Sequence, residues 1–377
     1  MMMKANPNKM RRSALAVLTT AALLSAVACA SGNAPDRETV EKPGSKVTVV
    51  ENKQESVYDT GLEIDKVSTL EGVRGQEWLD EERIVAMAPN AEQPPTATEG
   101  EQRQPFNLYI RAVAEGSELE TLQASPSDTG FAALSPDKKH LFFKKTEEAT
   151  GFGRILNLET GAVTELDNIH IPATEGAWAD DSTVIFPTLE GELMQVDLQG
   201  KATVVVKEKD KFIRGLAVSG ATWYYIAGEN QTLFAYDKET KEKKAVAEGI
   251  DWVVPSPDGS RLALVKRSGQ AGVKLVLSDA GGAEQKELAS GTQIFGTSWS
   301  PDGQTLAYSL SAEGVEDQGL FMSEAETGKQ TSLVSTRDLA GDAVRWSPSG
   351  KQLMMTTSSY GGQGIEFKTT IVRFKDQ

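Results

Sequence analysis

Three arginines occupy sequence positions suited to ligand recognition. Arg74, Arg214 and Arg345 each lie in or just before a predicted innermost strand of a repeated β unit, in a chain where 54 acidic residues outnumber 39 basic ones. Guanidinium groups bind carboxylates and phosphates through paired hydrogen bonds. We therefore expect them to bind an anionic or mixed-charge partner group, unless each pairs with a neighbouring acid and only stabilises the fold. The expected site also includes one aromatic and two acidic side chains: Tyr360, Glu316 and Asp317.

Signatures of catalysis are absent from the sequence. It contains no G-x-S-x-G nucleophile motif, H-E-x-x-H zinc motif, Walker loop or EF-hand spacing. His140 is interpreted as an exposed hairpin residue, and His170 as a residue of a loop between two repeat units. The sequence thus predicts no catalytic residue, no metal site and no cofactor. A carboxylate pair for glycoside chemistry stays open, because a sequence does not give the carboxyl separation that such chemistry requires.

Cys29 is the only cysteine, and its position indicates a covalent lipid. Four basic residues precede an acid-free apolar run from Ala14 to Ala28, which is the pattern of an export signal. The segment Leu24-Ser25-Ala26-Val27-Ala28-Cys29 resembles the lipobox of bacterial lipoproteins, whose cysteine is acylated after cleavage. We predict a signal peptide at residues 1–28 and a lipid anchor, such as palmitate, at Cys29. The protein would then lie on the outer side of the cell membrane, or face the periplasm or outer membrane in a two-membrane host.

Charge restricts the partners that the protein can have. Residues 1–28 carry four positive and no negative charges, so their removal changes the formal net charge from −15 to −19. Such an acidic surface repels phosphate backbones and anionic lipid headgroups. We expect no nucleic acid partner, membrane contact through the lipid alone, and a monomeric domain.

The chain divides into an anchor, a tether and one large domain. Residues 29–59 are polar, charged and interrupted by Pro35, Pro43 and Gly44, which is typical of a flexible tether with one short strand at Val47 to Val50. Residues 60–377 contain the strand-like repeats.

The repeats predict β-propeller blades. The best-preserved copies begin at Trp299 and Trp346 and read W-S-P-D-G-x-x-L-A-Y and W-S-P-S-G-x-x-L-M-M. Weaker copies place the tryptophan-equivalent residue at positions 78, 134, 178, 216 and 255, so the spacing runs from 38 to 56 residues. Strand-like repeats of about 40–50 residues are typical of propeller blades.

Each repeat predicts a four-stranded blade, with strands A to D running from the centre of the ring outward. Trp299 ends strand A, and Pro301-Asp302-Gly303 supplies a turn whose residue types fix φ, bond the backbone and accept positive φ. Leu306 and Tyr308 then alternate with small residues along strand B. A blade with two apolar faces cannot bury both alone, but packing face to face around a ring buries both.

Ring closure is predicted from the two ends of the repeats. The last repeat supplies strands A, B and C and then ends, whereas Leu62 to Leu70 matches a strand D and precedes the first complete repeat. We predict an all-β fold of seven four-stranded blades closed by this N-terminal strand. Six or eight blades stay open, because the unit at Leu216 lacks the turn motif.

The W-S-P-D-G-x-x-L-A-Y repeat resembles the TolB-type, WD40-like propeller repeat, over essentially the whole chain after the tether. TolB proteins carry an extra N-terminal domain that does not fit between Cys29 and Leu62, so the resemblance implies a fold and not a partner. The predicted lipid anchor and the lack of a nucleophile and base pair favour a binding or scaffold propeller of the cell envelope, with an envelope protein or saccharide as partner. The alternative is a propeller enzyme, of glycoside hydrolase or lyase type, acting on extracellular saccharide or peptide.

Loop lengths indicate which face binds. The A–B turns are short and uniform, whereas the B–C connections are longer and irregular. The connections with this property are Ala88 to Pro105, Lys144 to Gly153, Arg267 to Gly272, Ser311 to Gln318 and Ser358 to Gly364. Because binding residues concentrate on variable loops above a rigid scaffold, we expect this face to carry the site.

Replacing Cys29 by serine tests the anchor. We expect Cys29→Ser to lose the acyl mass and to move from the membrane fraction to the soluble fraction, because lipid is the predicted means of attachment. Mass spectrometry and fractionation measure both effects. Unchanged mass and unchanged fractionation would contradict the prediction.

Overall fold

The computed structural model describes residues 37–42, 45–50, 62–98, 101–123, 128–147, 150–209, 212–269, 271–312, 318–340, 342–361 and 364–376. The chain separates into two units, Met1–Glu55 and Ser56–Gln377. In the first unit, strands β1 (Arg37–Lys42) and β2 (Ser45–Val50) form an antiparallel hairpin, which is longer than the short strand expected in the tether. Cys29 lies outside the described residues. Among the described residues, no helix has the length and apolarity needed to cross a membrane.

The second unit is a propeller of seven blades, each built on four strands. Its chain begins with strand β3 (Ile64–Glu71), which belongs to blade 7. Blade 1 consists of β4 (Arg74–Trp78), β5 (Arg83–Pro89), β8 (Phe106–Ala112) and β9 (Leu119–Gln123), and the hairpin β6 (Thr96–Thr98) and β7 (Glu101–Arg103) lies between β5 and β8 in the chain. Blade 2 consists of β10 (Thr129–Leu134), β11 (His140–Glu147), β12 (Thr150–Asn157) and β13 (Val163–Pro172). Blade 3 consists of β14 (Ala177–Asp180), β15 (Thr183–Pro187), β16 (Glu192–Asp197) and β17 (Ala202–Lys207).

The remaining blades repeat this antiparallel order. Blade 4 consists of β18 (Ile213–Ser219), β19 (Thr222–Ala227), β20 (Thr232–Asp237) and β21 (Lys243–Ala247), and blade 5 of β22 (Ile250–Pro255), β23 (Arg261–Ser268), β24 (Gly272–Asp279) and β25 (Glu284–Gly291). Blade 6 consists of β26 (Gln293–Trp299), β27 (Thr305–Ser311), β28 (Gln318–Glu324) and β29 (Gln330–Ser335). Blade 7 consists of β31 (Arg345–Trp346), β32 (Gln352–Gly361), β33 (Gly364–Phe374) and β3, and β30 (Leu339–Ala340) also pairs with β32. The predicted all-β propeller of seven blades is confirmed.

The repeated turn is held by its serine. Ser300 is buried, and its hydroxyl oxygen accepts the N–H of Thr305 at 2.9 Å while donating to the carboxylate of Asp302 at 2.5 Å. The same pair of bonds forms in blades 2 and 5. Gly303 follows with φ of +69°, a conformation that costs glycine little. Blade 4 lacks the motif because β18 ends at Ser219 and β19 begins at Thr222, which leaves a tighter turn.

The apolar core lies between blades. The described buried residues form seven clusters, one at each interface of neighbouring blades. Along β5, Ile84 and Ala86 face blade 7, whereas Val85 and Met87 face blade 2. This is the period-2 alternation of a strand that is buried on both sides.

Four tryptophans tie adjacent blades together. In each case the indole N–H of a tryptophan in strand A donates to a backbone carbonyl oxygen in strand A of the preceding blade. The bonds are Trp178 to Ala133 at 2.8 Å, Trp299 to Val254 at 3.0 Å, Trp346 to Ser298 at 3.3 Å and Trp78 to Arg345 at 2.9 Å. The last of these joins blade 1 to blade 7, so the repeated contact also closes the ring.

Strand β3 completes blade 7, which confirms the predicted closure. It pairs with β33 from Ile64 opposite Phe374 to Glu71 opposite Lys368. Buried Thr369 of β33 then bonds to blade 1, since its hydroxyl accepts from the N–H of Gly75 at 2.9 Å and donates to the carbonyl oxygen of Val73 at 2.7 Å.

A methyl substitution at this seam should destabilise the ring. Thr369→Val keeps the side-chain shape but leaves the Gly75 N–H and the Val73 carbonyl without that partner, so we expect a loss of about 1–3 kcal/mol in the free energy of unfolding. Thr297→Val is the matched control, because the hydroxyl of buried Thr297 has no hydrogen-bond partner in the part of the chain that the structure describes. Its free energy of unfolding, measured with urea, should be unchanged or higher, because the substitution removes a buried hydroxyl without a partner. Equal losses in the two variants would contradict this account of the seam.

Candidate functional site

A central cavity of about 1450 Å³ runs through the ring. All seven blades contribute to its wall through strand A or the residues just before it. We name the two ends of the ring by their connections. The turn face carries the A–B turns, such as the one at Pro301, and the loop face carries the B–C connections and the links between blades, such as 173–176. The lining extends to the loop-face ends of strand A, at residues such as Thr129, Thr292 and Asp342.

The three predicted arginines all line this cavity, and each pairs with an acid of an adjacent blade. Arg74 of blade 1 binds Asp342, just before strand A of blade 7, through two bonds, Nε to Oδ2 at 2.7 Å and Nη2 to Oδ1 at 2.6 Å. The other two pairs are Arg345 with Glu77 at 3.2 Å and Arg214 with Asp251 at 3.1 Å. The structure thus brings Arg74 and Arg345 together at the seam of blades 7 and 1, and places Arg214 at the seam of blades 4 and 5.

Burial and pairing set the electrostatics of these groups. Burial lowers the pKa of Arg74 and its bond to Asp342 raises it, with a net upward shift that keeps the guanidinium charged. Burial raises the pKa of Glu77, although Arg345 opposes that shift. The arginines therefore stabilise contacts between blades, and the paired-acid alternative describes their present contacts.

Where strand A is irregular, its backbone N–H groups donate hydrogen bonds to side chains of the neighbouring blade or of the link beside it. The register of strand A shifts near Ala132 in blade 2 and between Arg214 and Ala217 in blade 4, as β-bulges do. The Ala132 N–H donates to Gln76 of blade 1 at 3.2 Å, and the Gly215 N–H donates to Glu175, in the link to blade 3, at 3.0 Å. Most polar groups of the cavity wall thus have a structural partner.

The predicted site also included Tyr360, Glu316 and Asp317, whose side chains are outside the part of the chain that the structure describes. Tyr360 belongs to β32, while Glu316 and Asp317 lie outside the described residues. Whether they join the arginines stays a prediction.

Three apolar side chains of the wall were missed by sequence reasoning. Trp252, Phe295 and Ile365 line the cavity with 38%, 42% and 47% of their surfaces exposed. An alignment of the repeats on the tryptophan position would have indicated Phe295 as a wall residue. It falls four residues before that position, as do Asp251, Asp342 and Arg74.

Exposed apolar residues favour the loop face. Among the described residues, four large exposed hydrophobic side chains lie on outermost strands: Val67, Leu119, Val163 and Val204. The other five lie at the loop face: Leu189, Phe212, Trp252, Phe295 and Ile365. Several connections expected to be loops are instead extended hairpins, such as β11–β12 and β32–β33.

Two polar atoms of the wall have no protein partner. The hydroxyl of Thr297, a residue 2% exposed, and the Nε of Arg345 are both buried without a hydrogen bond among the described residues. Both atoms are covered by protein, and buried polar atoms without partners carry a desolvation cost.

Lys144 is fully buried behind the wall. Its ammonium group donates to the carbonyl oxygen of Pro172 at 2.6 Å and to that of Glu175, and it lies 4.3 Å from the ring centroid of Phe131. Burial lowers its pKa to about 7, while the Glu175 carboxylate opposes the shift. Lys144 therefore fixes the link that lines the cavity between blades 2 and 3.

The histidines occupy structural positions. His140 contacts the Asn157 amide at 3.2 Å in blade 2. His170 lies in strand β13 and packs edge-on against Phe152, with 4.3 Å between ring centroids, so its predicted place in a loop was wrong. Within the described residues, no three His, Cys, Asp or Glu side chains come together in a geometry that could hold a metal.

Comparison with known proteins identifies the architecture. No family model matches the chain. Similar solved structures include an oligogalacturonate lyase in complex with manganese, at 15% identity and a TM-score of 0.58 over 82% of this chain and 91% of that chain. The WD40 propeller domain of Doa1 is similar at 10% identity and a TM-score of 0.55, over 82% and 96% of the respective chains. TolB from Acinetobacter baumannii gives 18% identity and a TM-score of 0.47 over 78% and 64%. At such identities, similarity shows the propeller fold alone.

The pH dependence of stability should report the buried Lys144. Between pH 7 and its ordinary pKa of 10.5, this lysine has lost its proton in the folded chain and keeps it in the unfolded chain. Stability rises with pH where the unfolded state binds more protons, so the free energy of unfolding should rise relative to Lys144→Met by up to about 1.4 kcal/mol per pH unit.

Below pH 7 the lysine is protonated in both states, and the difference between the two proteins should become constant. Urea unfolding at several pH values from about 6 to 9.5 measures it. Lys145→Met, which changes the partly exposed neighbouring lysine, is the control and should follow the wild-type slope. Parallel curves for wild type and Lys144→Met would contradict the prediction.

Proposed function

We propose that this protein is a lipid-anchored, extracytoplasmic binding propeller of the cell envelope, which takes its ligand into the central cavity from the loop face. The observation that carries the proposal is the exposure of Trp252, Phe295 and Ile365 on the wall of a cavity of about 1450 Å³. Exposed apolar side chains gathered in a concave, partly polar site are characteristic of ligand recognition.

The placement of strand β3 shows at which face the chain enters the propeller. Glu63, just before this strand, pairs with Lys375, and Phe374 bonds to Lys351 in the A–B turn of blade 7. The chain therefore enters the propeller at the turn face. A lipid at Cys29 would hold the protein through the segment that leads to this face.

Rigidity of the wall supports binding rather than conformational switching. The three arginine–acid pairs and the bonds from Gln76 and Glu175 connect neighbouring blades around the cavity. A ligand that enters a preformed site loses less free energy to ordering than one that must organise loops.

Photo-crosslinking in the native envelope tests the proposed site. A benzoylphenylalanine in place of Phe295, at the cavity, should yield a discrete crosslinked envelope component in the full lipidated chain. The matched position is Lys351, whose exposed side chain lies in an A–B turn of the turn face. We expect no such product there, because the proposed ligand does not reach that face.

Crosslinking of equal strength at the two positions, or none at either, would contradict a ligand in the cavity. The same purified chain can be incubated with extracellular glycans and peptides to test the catalytic alternative. Turnover that is lost in a cavity variant would replace the binding proposal with an enzymatic one.

A further inference from the structure

We infer that the ligand of the central cavity is a neutral oligosaccharide, stacked on Trp252 and Phe295. This inference rests on the proposed function, and it adds the chemical class of the ligand.

Charge is the first argument. The described wall contains three arginines and five acids, the latter being Glu77, Asp128, Glu175, Asp251 and Asp342. Each arginine is already bound to a carboxylate, so the wall has a net negative charge and its cations are engaged. An anionic ligand would meet repulsion and would have to break a bond between blades. The site therefore suits a ligand without negative charge.

Aromatic side chains supply the second argument. Trp252 and Phe295 lie near the loop-face ends of strand A in adjacent blades, 5 and 6, and each is more than one-third exposed. Register shifts beside both residues displace these strands from regular pairing and change the direction of their side chains. The weakly polar C–H faces of pyranose rings stack on aromatic rings, whose faces carry negative charge density. Neighbouring platforms suit successive sugar units.

Polar side chains of the wall supply the third argument. The arginine–acid pairs present donors and acceptors in fixed positions. Sugar hydroxyl groups both donate and accept, so they match such pairs without introducing charge.

The form of the site favours an oligosaccharide over other neutral ligands. Its volume of about 1450 Å³ exceeds the roughly 300–1,000 Å³ of pockets for drug-sized molecules, which leaves room for several sugar units. A protein partner would be expected to use arginine and tryptophan anchors together. Here the arginines are held in blade-to-blade pairs, and the exposed groups of the wall that these pairs do not use are the aromatic faces of Trp252 and Phe295.

The experiment measures binding of defined tetrasaccharides to the full-length chain carrying Cys29→Ser, by calorimetry and tryptophan fluorescence. The probes are chitotetraose, cellotetraose and xylotetraose, with tetragalacturonic acid as the charged counterpart. We expect at least one neutral tetrasaccharide to bind, and to bind more tightly than tetragalacturonic acid.

Variants then locate the binding. Trp252→Ala and Phe295→Ala should each raise the Kd by about tenfold or more, as loss of a central anchor does. Phe212→Ala is the matched control, because Phe212 is an exposed aromatic residue of the same face that does not line the cavity, and its Kd should match that of the parent chain. Circular dichroism and melting temperature confirm that each variant is folded.

Three results would overturn the inference: binding by none of the neutral tetrasaccharides, tighter binding of tetragalacturonic acid, or a Kd that is unaffected by both cavity variants. If these glycans fail while benzoylphenylalanine at position 295 still captures an envelope protein, the site binds protein. In that case the proposed function stands and the saccharide inference falls. If both experiments fail, the cavity is not a binding site.

Discussion

A four-stranded blade has two apolar faces, and only a neighbour on each side can cover both. This constraint organises the molecule. Strand B residues alternate between the two interfaces, so that Ile84 and Val85, adjacent in sequence, belong to different clusters. A tryptophan in strand A adds a directional bond to the preceding blade in four of the seven interfaces. A ring in which every blade depends on two neighbours has no stable end, which explains why β3 crosses to blade 7.

Closure also determines the chemistry of the central cavity. Seven strands A meet there, and their bulges leave backbone N–H groups that regular pairing would have satisfied. Gln76 and Glu175 accept those donors from the neighbouring blade, and Arg214 donates to the backbone carbonyl oxygens of Ile250 and Asp251. Because buried polar groups must find partners, most of the polar wall is required by the fold itself. The arginines of the cavity are thus explained by the fold and do not by themselves indicate an anionic ligand.

The parts of this architecture that repeat could be predicted from sequence. The turn at Ser300 is a local feature, since its bonds join residues two and five positions apart, and the spacing of its copies gives the blades. The same alignment located strand A and therefore placed Arg74, Arg214 and Arg345 on the cavity. The acids that pair with these arginines could not be predicted from sequence, because Arg74 and Asp342, for example, are 268 residues apart and meet only when the ring closes. His170 was assigned to a loop because sequence did not show that strand β13 extends to Pro172.

Bulges explain why the aromatic wall was missed. In a regular strand A, the residues three and four positions before the tryptophan-equivalent residue of the repeat would face opposite sides of the blade. Trp252 lies three positions before it and Phe295 four, yet both reach the cavity, because the register of each strand shifts beside them. Neither residue belongs to the interblade core clusters, whereas the paired arginines hold blades together. Side chains that the ring does not need are free to differ without loss of the fold, and in this cavity they are the aromatic residues at the loop-face ends of blades 5 and 6.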